Sequence, residues 1–115
     1  MVDDDPDVLD LCDMLLERAG YDRALAASGE EAVSLLEGRA PDLIILDLNM
    51  PGMDGWSVAA LVRKHEVTAR IPILVMTALA QNVENAARRA GATAFLMKPL
   101  DAKRFVREVK RLCPV

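Results

Sequence analysis

The sequence predicts an α/β domain in which a doubly wound, five-stranded parallel sheet of order 2-1-3-4-5 carries helices on both faces. Three observations lead there. Leu43-Ile44-Ile45-Leu46 and Ile71-Pro72-Ile73-Leu74-Val75-Met76 are apolar runs without polar alternation, which suits strands buried on both faces. Segments with apolar residues at helical spacing lie between the candidate strands. The connections are short, so strand and helix alternate along the whole chain and the crossovers are right-handed. With 115 residues, the chain suffices for one domain, residues 1–115, around a single sheet.

Taken in order, Met1-Val2-Asp3 is the stub of a first strand and Asp4-Asp5-Pro6 opens a helix, with Asp4 or Asp5 as cap and Pro6 in the first turn. Val8, Leu11, Cys12, Leu15, Leu16 and Ala19 supply its apolar face, and Gly20 ends it. Tyr21–Ala27 reads as a weak strand. Ser28-Gly29-Glu30-Glu31 is a capping box opening a second helix, with Ala32, Val33, Leu35 and Leu36 inward and Gly38 as stop. After the Leu43–Leu46 strand and the loop Asn49-Met50-Pro51-Gly52-Met53, Asp54 is the candidate cap of a helix from Trp56 to about His65, with Val58, Leu61 and Val62 buried. Pro72 lies near the start of the next strand, where a missing N–H costs least. Asn82–Ala90 is a helix with a thin apolar face, expected to be the least stable, and Gly91 stops it. Thr93–Met97 is the last strand. Asp101 caps the final helix, with Phe105, Val106, Val109 and Leu112 inward.

The first strand is the anomaly. Only three residues precede the acidic loop, where strands usually have about 5–6. In the order 2-1-3-4-5 that strand is interior, and each buried N–H or C=O it leaves unpaired costs about 1–3 kcal/mol. The chain as written is therefore expected to be poorly stable or to borrow a strand from another copy, unless residues upstream complete the strand.

No apolar run approaches the ~18 residues of a membrane span, and the acidic start argues against a secretory leader. Cys12 and Cys113 lie far apart on helices, which fits reduced thiols in a cytoplasmic protein. The net charge of −4 hides an asymmetry, −11 over residues 1–57 and +7 over 58–115. An acidic first half suits a cation site, and a basic second half suits an acidic partner or a phosphoryl group. The set Arg88, Arg89, Lys103, Arg104, Arg107, Lys110 and Arg111 reads as solvated helix surface, since no nucleic-acid motif accompanies it. His65, the sole histidine, lies near a helix end among charges, and no Ser/His/Asp or Cys/His arrangement can be built around it.

The chemistry collects at the carboxyl ends of the strands, where ligands bind in open α/β sheets. Asp47 ends the Leu43–Leu46 run, and as an isolated carboxylate it is a metal ligand, a nucleophile or a helix cap. The next helix starts too late for the cap, and Asp54 is the better candidate. The other strand ends bring Asp3, Asp4, Thr77 and Lys98 to the same edge. Crowded carboxylates repel unless a cation neutralises them, and a hard divalent ion with oxygen ligands does so. Lys98 and the Thr77 hydroxyl remain for phosphoryl oxygens. The set reads as a phosphoryl-transfer site with a carboxylate nucleophile, Mg²⁺, a fixed ammonium and a hydroxyl donor.

Four motifs, Val2-Asp3-Asp4-Asp5-Pro6, Leu46-Asp47-Leu48-Asn49-Met50-Pro51-Gly52-Met53-Asp54-Gly55, Val75-Met76-Thr77-Ala78 and Phe95-Leu96-Met97-Lys98-Pro99, resemble in order and spacing the receiver domain of two-component response regulators, such as the single-domain chemotaxis regulators. The resemblance spans the whole chain and implies a flavodoxin-like fold. It implies that Asp47 accepts a phosphoryl group from a sensor histidine kinase or phosphotransfer protein. Asp3, Asp4, Asp47 and the backbone carbonyl of Asn49 would hold Mg²⁺, for which Mn²⁺ could substitute. Thr77, with Ala78 beside it, and Lys98 match the phosphate-binding switch positions, Phe95 the switch aromatic, and the bond before Pro99 is expected to be cis. Read from the residues alone, Phe95 is a core aromatic. The output would be a changed surface of the fourth helix, fifth strand and fifth helix, offered to a downstream protein by a cytoplasmic monomer or weak dimer without nucleic-acid or membrane contact. With Val115 following the last helix directly, no output domain is expected in this sequence.

Two rivals accompany this reading. A docking-only pseudo-receiver is disfavoured by the full set Asp3, Asp4, Asp47, Thr77 and Lys98. An aspartyl-phosphate phosphatase or phosphotransferase like the haloacid-dehalogenase enzymes needs a second acid two residues after the nucleophile, and that position is Asn49. The chain is therefore expected to be a phospho-acceptor module rather than an enzyme acting on other substrates.

Overall fold

The structure, a computed structural model, describes residues 1–48, 55–78 and 83–114. Its elements follow one another as α1 (Pro6–Arg18), α2 (Gly29–Gly38), β1 (Ile44–Asp47), α3 (Gly55–Lys64), β2 (Ile73–Thr77), α4 (Val83–Arg89), β3 (Ala94–Met97) and α5 (Ala102–Leu112). The strands pair in parallel in the order β1-β2-β3, Ile45 against Leu74 and Val75 against Phe95. Val2 extends this sheet by parallel bridges to Leu46 on one side and Ala26 on the other. The spatial order is thus the predicted one, with the first two strands reduced to bridges among the described residues.

The pleat divides the core in two. Ile44, Leu46, Ile73 and Val75 face Ala32, Val58, Ala59, Val62 and Ala87 of α2, α3 and α4. Ile45, Leu74, Met76 and Leu96 face Cys12, Leu16, Phe105 and Val109 of α1 and α5. Alternate residues of one strand therefore feed opposite layers, which is why these strands show no polar alternation.

The predicted helix ends are built as expected. Asp5 rather than Asp4 caps α1, accepting from the Asp7 amide at 2.9 Å. Ser28 accepts from the Glu31 amide at 3.2 Å, and the Glu31 carboxylate reaches back one residue further than the cap, to the Ala27 amide at 2.7 Å. Asp101 accepts from the Lys103 and Arg104 amides at 3.0 and 3.2 Å. The cap expected at Asp54 lies outside the described residues.

Three expectations need correction. Leu11 and Leu35 are 37% and 44% exposed, and in α1 it is Leu9 that turns inward. Spacing alone defines a stripe, and the stripe that wins is the one centred on Cys12. Tyr21–Ala27 forms no strand beyond the bridge at Ala26, because Val2 is the partner it finds. The stub itself is well held: Val2 N–H donates to Ile45 at 2.7 Å, Asp47 N–H to Val2 at 2.9 Å, Asp3 N–H to Ala26 at 3.1 Å and Ala26 N–H to Met1 at 2.9 Å. In line with it lies a groove of about 680 Å³ between the two helical layers, walled by Leu16, Tyr21, Ala24, Leu36, Ile44 and Val109.

Candidate functional site

The apolar run of β1 carries Asp47 to the carboxyl edge of the sheet, where it is 3% exposed. The bridge at Val2 aligns the stub with β1, so Asp3 emerges beside Asp47, fully buried, and Asp4 follows on the solvent side. The Asp5 amide donates to Asp3 Oδ1 at 2.9 Å and fixes that carboxylate. At the end of β3 the Lys98 amide donates to the Thr77 carbonyl at 2.9 Å, tying it to the end of β2. The bond between Lys98 and Pro99 is cis, as expected.

Lys98 Nζ lies 2.8 Å from Asp3 Oδ2 and 3.3 Å from Asp47 Oδ2. Burial acts to lower the pKa of this ammonium, but the short contact with Asp3 and the charge of Asp47 outweigh it and hold it above the ordinary lysine value. The Asp3 contact is ionic rather than aligned, and among the described residues Asp3 Oδ2 is the buried side-chain oxygen that accepts no hydrogen bond. Asp3, Asp4 and Asp47 each offer a carboxylate oxygen, all within 4.8 Å of one another. Three hard oxygens, one of them buried without a hydrogen bond, fit a divalent cation such as Mg²⁺.

Of the other predicted positions, Thr77 is fully buried and Ala78 beside it is exposed. Phe95 is 37% exposed, so it is no simple core aromatic; it borders a groove of about 370 Å³ with Arg88, Thr93, Glu108 and Arg111. Asn49 lies outside the described residues. His65 is exposed and distant in the chain from every site element, as expected.

A sequence model for the response regulator receiver domain matches residues 1–110. The chain belongs to that family. It is 40% identical over 113 residues to the DNA-binding dual master transcriptional regulator RpaA of Synechocystis, an alignment covering 97% of this chain and 47% of that protein. It thus spans about half the length of several curated relatives. The chemotaxis protein CheY4 of Vibrio cholerae superposes with a TM-score of 0.89 at 30% identity, covering 96% of this chain and 93% of that one. The receiver domain of a signal transduction histidine kinase from Syntrophus aciditrophicus gives 0.88 at 32% identity, covering 96% and 85%. The fold is accordingly the flavodoxin-like receiver fold, and the chain is a receiver module of two-component signalling. No helix among the described residues is long and apolar enough to cross a membrane.

One residue that positions the receiver site was not recognised from sequence. Gly55, the first residue of α3, sits on the backbone that carries Asp47: a Cβ there would collide with the Asp47 carbonyl oxygen and come within 2.6 Å of Leu48 Cα. In the sequence Gly55 closes the Leu46–Gly55 motif, but nothing there marks its close approach to the Asp47 backbone. The Asp5 amide that holds Asp3 gives no sequence signal at all, since any residue but proline supplies one.

Cys12 lies behind the same site. Burial, reinforced by the charge of Asp3, pushes its thiol up to about 11 from 9.0. An acid whose pKa is raised by folding stabilises the fold below its unfolded value and loses that contribution as pH rises through the folded one. The receiver's urea midpoint is therefore expected to hold up to about pH 9 and to fall between about 9 and 11, and the Lys98 ion pair, whose ammonium is held above the ordinary lysine value, adds its own loss as pH rises past 10.5. Cys12→Ala should flatten the first part of that fall; an unchanged curve would show that Cys12 does not set it.

Proposed function

We propose that this chain, residues 1–115 acting as one domain, accepts a phosphoryl group on Asp47 in a Mg²⁺-dependent transfer from a phosphohistidine and thereby alters a surface read by another protein. The observation that carries this reading is the convergence of Asp47, Asp3, Asp4 and Lys98 at one sheet edge. Asp3, Asp4, Asp47 and the Asn49 carbonyl would hold Mg²⁺, or Mn²⁺ in its place. A bound ion there neutralises negative charge on phosphoryl oxygens.

In the transfer, a carboxylate oxygen of Asp47 forms a bond to phosphorus while the P–N bond to the donor imidazole breaks and its electron pair returns to the ring nitrogen. Lys98 already stands between Asp3 and Asp47, so its ammonium meets the arriving charge without a large movement. Its raised pKa keeps it protonated throughout the neutral range. The product adds roughly −1.5 to −2 charges at Asp47. That charge draws the Thr77 hydroxyl and the Lys98 ammonium toward it. Because Lys98 and Thr77 are joined through their backbones, the ends of β2 and β3 move together, and Phe95 leaves its half-exposed position. The surface of α4, β3 and α5 is then the one offered to a downstream protein. The donor is a sensor histidine kinase or phosphotransfer protein, and the module works in the cytoplasm without binding nucleic acid or membrane and without turning over other substrates.

Incubation with a small acyl phosphate and Mg²⁺, read by intact mass, tests this. A gain of one phosphoryl group in the parent protein, absent with Asp47→Asn and absent in chelator, is the expected result. A folded protein that gains nothing would favour a docking-only role.

A further inference from the structure

α1 and α5 lie side by side on one face of the sheet, joined through Cys12, Leu16, Phe105 and Val109. Their outer surfaces carry opposite charge. α1 has four carboxylates, Asp7, Asp10, Asp13 and Glu17, against Arg18 alone; α5 has Lys103, Arg104, Arg107, Lys110 and Arg111 against Glu108. Some of these are neutralised locally: Asp13 and Glu17 by Arg23, and Arg111 by Glu108. The remainder are not. Among the described residues no ion pair joins α1 to α5, and Asp7, Asp10, Lys103, Arg104, Arg107 and Lys110 stand exposed and outside the described ion pairs. Between the α1 charges, Leu11 and Met14 are 37% and 39% exposed, apolar surface that the helix leaves uncovered.

A surface made of one acidic and one basic strip is complementary to itself when turned about a two-fold axis. We propose that α1 and α5 form an isologous interface between two copies of this chain, the acidic α1 of each seated against the basic α5 of the other. Asp7 and Asp10 of one copy then meet Arg107 and Lys110 of its partner, and the stems of those long side chains cover Leu11 and Met14. The patch is about 20 Å long and two helices wide. That lies at the small end of protein interfaces, so the dimer is weak and its stability is electrostatic. This inference is independent of whether Asp47 is phosphorylated.

Sedimentation equilibrium tests it at about 0.01 M and 1 M salt, between which the screening length falls from about 30 Å to 3 Å. The parent protein should dimerise at low salt and weaken at least ~10-fold at high salt. The variants Asp7→Lys/Asp10→Lys and Arg107→Glu/Lys110→Glu, each checked for a native circular dichroism spectrum, should each be monomeric. Their equimolar mixture should associate, because the reversed α1 of one meets the reversed α5 of the other while the second contact keeps its original signs. Three outcomes overturn the proposal: a parent protein that stays monomeric up to ~1 mM, leaving the face to a different protein; association that either variant leaves intact; or a mixture that fails to restore it.

Discussion

Replacing Lys98 with methionine is expected to destabilise the metal-free protein by about 3 kcal/mol, the low end of the range for removing one partner of a buried ion pair. Methionine keeps an apolar stem of similar reach, so the loss isolates the charge. What remains is Asp3, fully buried with Oδ2 lacking a hydrogen bond, next to Asp47 at 3% exposure, with Asp4 offering a third carboxylate within 4.8 Å. The low end applies because Asp4 is exposed and lets water approach. Two controls separate this from a packing defect. Adding Mg²⁺ should return much of the lost stability, since an ion bound only by the folded state at ~100 times its dissociation constant contributes about 2.7 kcal/mol. Asp3→Asn in the Lys98→Met background should also recover stability, giving a non-zero coupling in a double-mutant cycle. The measurement is urea unfolding in chelator and in Mg²⁺. Equal midpoints for parent and Lys98→Met in chelator would mean that the three carboxylates do not strain the fold.

The parts of this site legible in sequence are those set by short-range rules. Asp47 was readable because a strand with no polar residue must be buried, and its first polar residue must then lie at the edge. The caps at Asp5, Ser28 and Asp101 were readable because a side chain two or three residues from an amide needs only local geometry. What failed needs the tertiary structure. Leu11 and Leu9 are both apolar and adjacent to the same stripe, and only the position of α5 and the sheet decides which turns inward. The strand expected at Tyr21–Ala27 depends on a partner, and among the described residues that partner is the short stub Met1–Asp3, which pairs with it only around Ala26. Arg63 gave no signal as one of many arginines. It donates to the carbonyls of Ala69 at 3.0 Å, Ile71 at 2.7 Å and Gly91 at 2.7 Å, and so pins α3 to the turn after α4. Those carbonyls come from two separate loops, a coincidence no spacing rule encodes.

Gly55 makes the same point with a measurable sign. Glycine to alanine inside a helix ordinarily stabilises a protein by about 0.4–1 kcal/mol, through the unfolded chain's lost freedom. At Gly38, the last residue of α2, nothing lies within 4 Å of an added Cβ, and Gly38→Ala is expected to follow that rule. At Gly55 the rule reverses. The new Cβ would meet the Asp47 carbonyl oxygen and lie 2.6 Å from Leu48 Cα and 2.8 Å from the Asp47 carbonyl carbon. These are backbone atoms of the sheet's own strand and its exit, so no rotamer change relieves the clash; either α3 lifts or the end of β1 is displaced. Overpacking of this kind costs about 1–3 kcal/mol. The larger effect falls on the site, because Asp47 is the residue pushed: a displacement of about 1 Å lowers a positioned reaction roughly 100-fold. Gly55→Ala should therefore gain the phosphoryl group about two orders of magnitude more slowly than Gly38→Ala, in samples that are both folded. Equal phosphorylation rates for the two variants would show that α3 yields without moving Asp47, and that the close approach of Gly55 serves packing alone.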